Sequence, residues 1–414
     1  WPLLRRKLSP HELDEIAPQH SCVWNWRRGS STCPRPWRIP TDLTTASDLT
    51  TTSSTPVPGT PAAAGFEPTR LETAYDLVAR WIAQGDVAGA VVAIARNGVM
   101  LESRAFGQRQ WRRQPLRAMS ADDVFLVASV TKPVTAAALM GQIALGGATL
   151  QDRVVDHLPD FSGPEREYIR LIHLLTHTSG LPDILAENEP LREAHAPMSE
   201  FVDGTCRTPL LFKAGEQVKY QSMGTLLAGE IASRLAGRSL PDLMSMTLFE
   251  PTGMASSILG YRHDLDDRVA AVQLPDGVED ATDWHWNSDY WRSFGAPWGG
   301  MHSTATDLLQ WLQLFLDDDP QDLLGSNVCA QMLADQTSQV VGLNKADQQK
   351  NRWGLGWRVG AFGAHGSPRA FSHGGATGTL VGADPETGLT CVLLTTCPSA
   401  PLQRLLTSIQ DALV

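Results

Sequence analysis

Two kinds of apolar periodicity divide this chain, and their order limits the folds open to it. Residues 87–95 and 99–106 are apolar runs on either side of Asn97-Gly98. That dipeptide suits a two-residue turn between antiparallel strands, because both positions tolerate positive φ. Strand-like runs return only near the end, at residues 353–362, 370–373, 379–383 and 390–396. Between them, residues 168–176, 224–235, 240–249 and 306–316 repeat apolar side chains at helical spacing. One further helix is expected from about Leu71 to Gly85, and a closing one over 402–413. This order predicts an α+β fold: one antiparallel sheet built from both chain ends and flanked by the terminal helices. A mainly helical insertion, about 150–346, then lies against one side, and a site is expected where the two parts meet. No internal repeat is present.

Residues 1–64 follow neither pattern. Trp1, Trp24, Trp26 and Trp37 lie among arginines, and residues 41–61 are dominated by Thr, Ser and Pro. That composition builds no core and reads as a disordered or low-complexity extension, leaving residues 65–414 as the folded domain. The first residue is Trp1 and the first methionine Met100, so the chain reads as processed, partial or started elsewhere. No intact signal peptide is visible, and the compartment stays open. A net charge of −11 argues against nucleic acid or anionic membrane as a partner. No apolar run approaches the roughly 18 residues that span a bilayer.

The six cysteines form no metal-ligand pattern; Cys206, Cys329, Cys391 and Cys397 read as buried thiols, while Cys22 and Cys33 are near enough in sequence to pair. His173 and His177 stand four apart, a spacing that can hold a metal, but without a third ligand they read as structural. Trp284, Trp286, Trp291 and Trp298 either wall an apolar acyl pocket or pack a large loop. Asp317-Asp318-Asp319 reads as a solvated turn.

Three clusters carry chemistry. In Ser129-Val130-Thr131-Lys132, an apolar run precedes the serine and a helix-forming run follows, with Pro133 tolerated in a first turn. Ser129 is thus expected near a helix N-terminus, with the Lys132 amine one turn away and able to act as its base. In Tyr220-Gln221-Ser222 an extended backbone would project Tyr220 and Ser222 to one side. A phenol beside a lysine ammonium is favoured in its ionised form, which lets Tyr220 move protons; a tyrosine that simply packs its ring fits the same residues. In His373-Gly374-Gly375-Ala376 two glycines let a ligand approach the backbone, and the N–H groups of Ser129 and Ala376 are placed to stabilise an oxyanion.

Phe125-x-x-Ala128-Ser129-Val130-Thr131-Lys132, Tyr220-x-Ser222 and His373-Gly374-Gly375 resemble, in order and approximate spacing, the serine β-lactamase and penicillin-binding superfamily, in its class C-like branch. That branch includes DD-peptidases, D-aminopeptidases and family VIII-type carboxylesterases. Residues 174–181 and 299–308 add to the likeness, which extends from about Phe66 to the C-terminus. The resemblance implies Ser129 as acylated nucleophile, Lys132 as its base and Tyr220 as a proton carrier. It implies substrate binding by Ser222, where asparagine is usual, and by His373 and Gly374, where lysine and threonine usually hold a carboxylate. A neutral histidine anchors anions weakly. The reading is therefore a serine hydrolase of small esters or amides, most simply a carboxylesterase, with no metal and no cofactor. The alternatives are a DD-peptidase or D-aminopeptidase with its cation elsewhere, at Arg369 or a loop arginine, a weak β-lactamase, or a silent binding protein on the same fold. Oligomeric state is not legible.

Overall fold

The computed structural model describes residues 56–110, 115–316, 323–338, 340 and 351–414. All of them fall within one contact unit, Thr52–Val414. The large sheet is organised on β2 (Gly89–Arg96), which is buried from Gly89 to Ala95 because both of its faces are covered. Ala90, Val92 and Ile94 enter one apolar cluster; Val91, Ala93 and Ala95 enter the other. This explains an uninterrupted apolar run where a one-sided sheet would show alternation.

On one edge β2 pairs antiparallel with β13 (Leu389–Thr395), followed in order by β12 (Thr379–Asp384), β11 (Phe371–Gly375) and β10 (Arg358–Val359). On the other edge it pairs with β3 (Val99–Met100) and then with β4 (Arg104–Arg109), which continues to β5 (Arg117–Ala118). Asn97 and Gly98 have φ of 51° and 75°, as the two-residue turn requires. The expected single arm over 99–106 is broken, because pairing shifts by one residue between Met100 and Arg104.

Helix α1 (Pro68–Gln84) carries Glu67 as its N-cap and stops at Gly85, φ 78°. It packs with the Leu402–Gln410 helix on the Ala90–Val92–Ile94 face. The opposite face receives the Ala305–Gln313 helix, with α2 (Thr131–Ala144) and the Met223–Ala236 helix beyond. The expected architecture is therefore present.

Two expectations need correction. The domain begins before residue 65: β1 (Val57–Pro58) pairs parallel with β3, and Ala64 and Phe66 are each only 2% exposed. Backbone pairing to a hairpin edge orders a Pro- and Thr-rich stretch that has little to bury. Residues 353–362 are not one strand; Gly356 and Gly360, φ 80° and 66°, turn the chain, and only Arg358–Val359 pairs in the sheet. Within the mainly helical insertion, β7 (Ile258–Leu259), β8 (Val269–Ala270) and β9 (Met301–Ser303) join β6 (Val124–Leu126), which precedes it, in a second sheet of order β7-β9-β6-β8. Strands of two or three residues are too short to show a period.

Cys206, Cys329, Cys391 and Cys397 are buried free thiols. Residues 1–55, with Cys22 and Cys33, and Asp317–Asp319 lie outside the described residues. Among the described residues no helix is long and apolar enough to cross a membrane.

Candidate active site

Strand β6 leads through Val127 into a single 3₁₀ turn, Ala128–Val130, that opens α2. Ala128 adopts φ 46°, uncommon for a residue with a Cβ. Such strain persists where neighbours fix it. Here Val127 N–H donates to Met301 O of β9 at 3.0 Å, and Thr131 Oγ1 donates to Ala128 O at 2.6 Å. The turn leaves Ser129, half-buried, at the helix entrance, where backbone N–H groups lack intrahelical partners.

Lys132 follows on the same face and is 2% exposed. Its Nζ stands 3.0 Å from Ser129 Oγ and donates to the Trp298 carbonyl at 3.0 Å, with the Tyr220 ring centroid 4.6 Å away. Burial lowers its pKa from 10.5 to about 7, against the opposing pull of the Asp183 carboxylate. In the neutral amine one N–H serves Trp298 and the lone pair faces the Ser129 hydroxyl proton.

Tyr220 hydrogen-bonds Ser129. Burial drives its pKa upward despite that bond, which corrects the expected ionised phenol. The lysine beside it is held toward neutrality, so desolvation decides and the phenol keeps its proton. The segment is fixed by Gln221, which is fully buried: its Oε1 accepts from Ser179 Oγ at 2.6 Å and its Nε2 donates to His173 O at 3.1 Å. Ser222 does not share an extended strand with Tyr220. It has helical dihedrals, φ −95° and ψ −30°, at the N-cap of the Met223–Ala236 helix, and donates to Asp183 Oδ1 at 2.7 Å.

The third cluster closes the site from β11. Thr377 Oγ1 donates to Leu126 O at 2.6 Å, and Thr379 Oγ1 to Val127 O at 2.9 Å, tying the strand end to the residues just before Ser129. Gly375 is needed for this approach: a Cβ there would stand 2.1 Å from Thr379 Oγ1 and 2.3 Å from Val127 O. Gly374 and Ala376 are exposed. His373 is 4% exposed, and its Nδ1 lies 2.8 Å from the Gly374 carbonyl, an acceptor, so Nδ1 carries the hydrogen and Nε2 a lone pair. Burial, then the nearby Lys132, lowers its pKa to about 3. His373 is neutral at pH 7, and its Nε2 is buried without a partner.

His173 and His177 do not share a helical face. The Leu171–Leu175 helix ends before His177, whose φ is 61°, and His173 Nδ1 accepts the Arg170 N–H at 3.0 Å. Trp291 and Trp298 are core residues, packed on Phe294 and Phe201, so their rings do not form an open acyl wall. Trp298 meets the site through its carbonyl. That atom, Asp183 and Gln221 had no local sequence signal. Arg369, two residues before β11, lies at the opposite end of the strand from Gly375.

The β-lactamase family profile matches residues 74–413. Among curated proteins the chain is similar to penicillin-binding protein 4 of Amycolatopsis lactamdurans, 29% identical over 67% of this chain and 73% of that one. It is 29% identical to esterase EstB of Burkholderia gladioli over 51% of this chain and 58% of that one. A putative D-alanyl-D-alanine carboxypeptidase of Escherichia coli K12 is 23% identical over 83% and 86%. Among solved structures, a penicillin-binding protein homologue from Caulobacter crescentus superposes with a TM-score of 0.68 at 22% identity, covering 84% of this chain and 99% of that one. EstCE1, a hydrolase with promiscuous acyltransferase activity, gives 0.66 at 21%, covering 83% and 98%. These last two likenesses establish the fold.

Proposed function

This chain belongs to the β-lactamase family and is a serine hydrolase, and on that premise we propose that it is a carboxylesterase of small neutral esters working through a Ser129 acyl-enzyme. Lys132, as the neutral amine 3.0 Å from Ser129 Oγ, takes the hydroxyl proton as Oγ bonds to the ester carbonyl carbon. The backbone N–H groups of Ser129 and Ala376 stabilise the oxyanion. As the intermediate collapses, the carbon–alkoxide bond breaks and the alkoxide takes a proton from the Tyr220 phenol, which is refilled from the Lys132 ammonium. Water then attacks the acyl carbon, gives its proton to the same pair, and releases the acid and the Ser129 hydroxyl.

The observation that favours an ester over an anionic substrate is the His373 imidazole, uncharged at pH 7 where a carboxylate anchor would need a cation. Ser222, committed to Asp183, supports the same reading. A second reading, a peptidase of D-alanyl peptides, is favoured by the carboxypeptidase and penicillin-binding relatives. The two are separated by assaying p-nitrophenyl acetate and butyrate, nitrocefin and a D-Ala-D-Ala peptide with wild type and Ser129→Ala. The ester reading expects p-nitrophenyl turnover lost in the variant and little nitrocefin hydrolysis. D-alanine release exceeding ester turnover would favour the peptidase, and equal turnover by Ser129→Ala would sink both.

A further inference from the structure

Four rings pack together beside Lys132, and two of them have no part in the mechanism above. His177 lies 4.7 Å from Tyr220 and 4.3 Å, edge-on, from Trp353, centroid to centroid. Trp353 in turn stands 5.8 Å from Tyr220 and 5.9 Å from His373, and Tyr220 stands 6.1 Å from His373. His177 and Trp353 are 1% and 7% exposed.

His177 carries two penalties at once. Its backbone is left-handed, φ 61°, a strained conformation for a residue with a large side chain. Its Nδ1 accepts the Gln221 N–H at 3.3 Å, so Nε2 holds the hydrogen, and that N–H is buried with no partner. Both costs serve one placement. The bond to Gln221 ties the ring to the residue after Tyr220, and the left-handed turn sets it, tilted by 41°, against the Tyr220 ring. We propose that His177 is a positioning residue for the hydrolysis assigned above, on which this inference rests: it fixes the Tyr220 ring and, with Trp353, keeps water from the Lys132 amine.

The groups around that amine fit this assignment. Ser129 faces it from the helix entrance, Tyr220 from the 217–222 segment, His373 from β11 and the Trp298 carbonyl from the loop before β9. Asp183, on the loop after Leu181, supplies the one opposing charge, which favours the protonated amine. His177 and His373 are both neutral, since burial holds each far below the usual imidazole range, so neither repels a proton from Lys132. What keeps the amine deprotonated is dryness, and the His177 and Trp353 rings supply bulk where water would otherwise enter.

The test is the pH profile of kcat/KM on p-nitrophenyl butyrate for wild type, His177→Asn, His177→Phe and Ser129→Ala. Asparagine tolerates φ > 0 but removes the ring. His177→Asn is expected to move the acid limb upward by about one pH unit or more, and to lower kcat about tenfold with KM little changed. His177→Phe restores the bulk but not the bond to Gln221, so it is expected to return the limb to the wild-type position while kcat stays lowered. Should His177→Asn not fold, Trp353→Leu opens the same wall from the far side and carries the same expected shift. An acid limb that overlays wild type in the ring-deleted variant, with only thermal stability lowered, would overturn the proposal. So would an equal shift in His177→Phe, which would make the nitrogen rather than the bulk responsible. Full turnover by Ser129→Ala would remove the hydrolytic reading itself and this inference with it. Its loss there, combined with overlaid limbs, would remove only the role of His177.

Discussion

The two faces of the large sheet bury comparable strands and treat polar groups in opposite ways. On the face covered by α1 and the Leu402–Gln410 helix, the buried titratable groups Tyr75 and Cys391 are pushed upward in pKa, Tyr75 to about 12, and stay uncharged in their ordinary forms. The other face buries Lys132, His177 and His373 beside Ser129, groups whose ordinary pKa values lie near or above neutrality. There burial changes the protonation state of Lys132, and an amine that water would charge becomes a base. One face holds the fold together; the other uses the same desolvation to prepare chemistry. Substitutions on the two faces should therefore separate activity from stability.

The largest expected effect is at Ser129. Ser129→Ala should lower ester turnover by roughly a thousandfold or more while leaving the unfolding midpoint within about a degree, read by p-nitrophenol release and thermal denaturation. Lys132→Met should lose activity to a similar degree but gain about 1–2 kcal/mol of stability near pH 7, because a buried amine is replaced by an apolar chain of similar length. The sign follows from linkage. Lys132 has a lower pKa folded, about 7, than its ordinary 10.5, so the unfolded chain binds more protons between those values. Wild-type stability should rise with pH across that window, and Lys132→Met should lose that contribution; urea unfolding at the two ends of the window measures the difference. Equal slopes in the two proteins would show that the amine is not held neutral.

The contrast between the faces also marks what was legible in the sequence. The spacing of Ser129 and Lys132 is a local helical relation, and the structure brings the two side chains to 3.0 Å. Asn97-Gly98 set the hairpin, and the apolar runs at 87–95, 379–383 and 390–396 set the sheet, since each is long enough to read as a buried strand without alternation. The protonation state of Tyr220 was not legible: it was expected as a phenolate beside an ammonium, because its burial is not written in its neighbours along the chain, whereas the neutral histidine expected at His373 agrees with its burial. The Trp298 carbonyl, a backbone atom, leaves no sequence signal. Asp183 stands 39 residues from the Ser222 it accepts from, so only tertiary structure joins them.

Gly375→Ala tests how tightly the catalytic face is held. The added methyl group meets Thr379 Oγ1 and the Val127 carbonyl well inside contact distance, so β11 must back away from the Ser129 turn. Turnover should fall about a hundredfold, with a stability loss of roughly 1–3 kcal/mol. Unchanged kcat would mean that the strand end does not position the oxyanion donors. A smaller effect follows from pH alone. The acid limb of kcat/KM for wild type should lie near pH 7, falling about tenfold per unit below it, because protonated Lys132 cannot accept the Ser129 proton. A limb near pH 4 would point instead to a carboxylate base.

The smallest expected effect on catalysis comes from the other face. Leu406 is fully buried between the Leu402–Gln410 helix, α1 and the sheet. Leu406→Ala removes apolar contacts and leaves a cavity, so stability should drop by about 2–4 kcal/mol in urea unfolding. Ser129, Lys132 and Tyr220 lie across the sheet, and β2 and β13 are pinned on both edges by backbone pairing. A cavity on the far side is therefore expected to leave kcat/KM within about twofold below the unfolding temperature, and the acid limb at the wild-type position. A limb displaced by Leu406→Ala would show that packing on the structural face reaches the Lys132 environment through the sheet. The sheet would then transmit strain, and the division between the faces drawn above would fail.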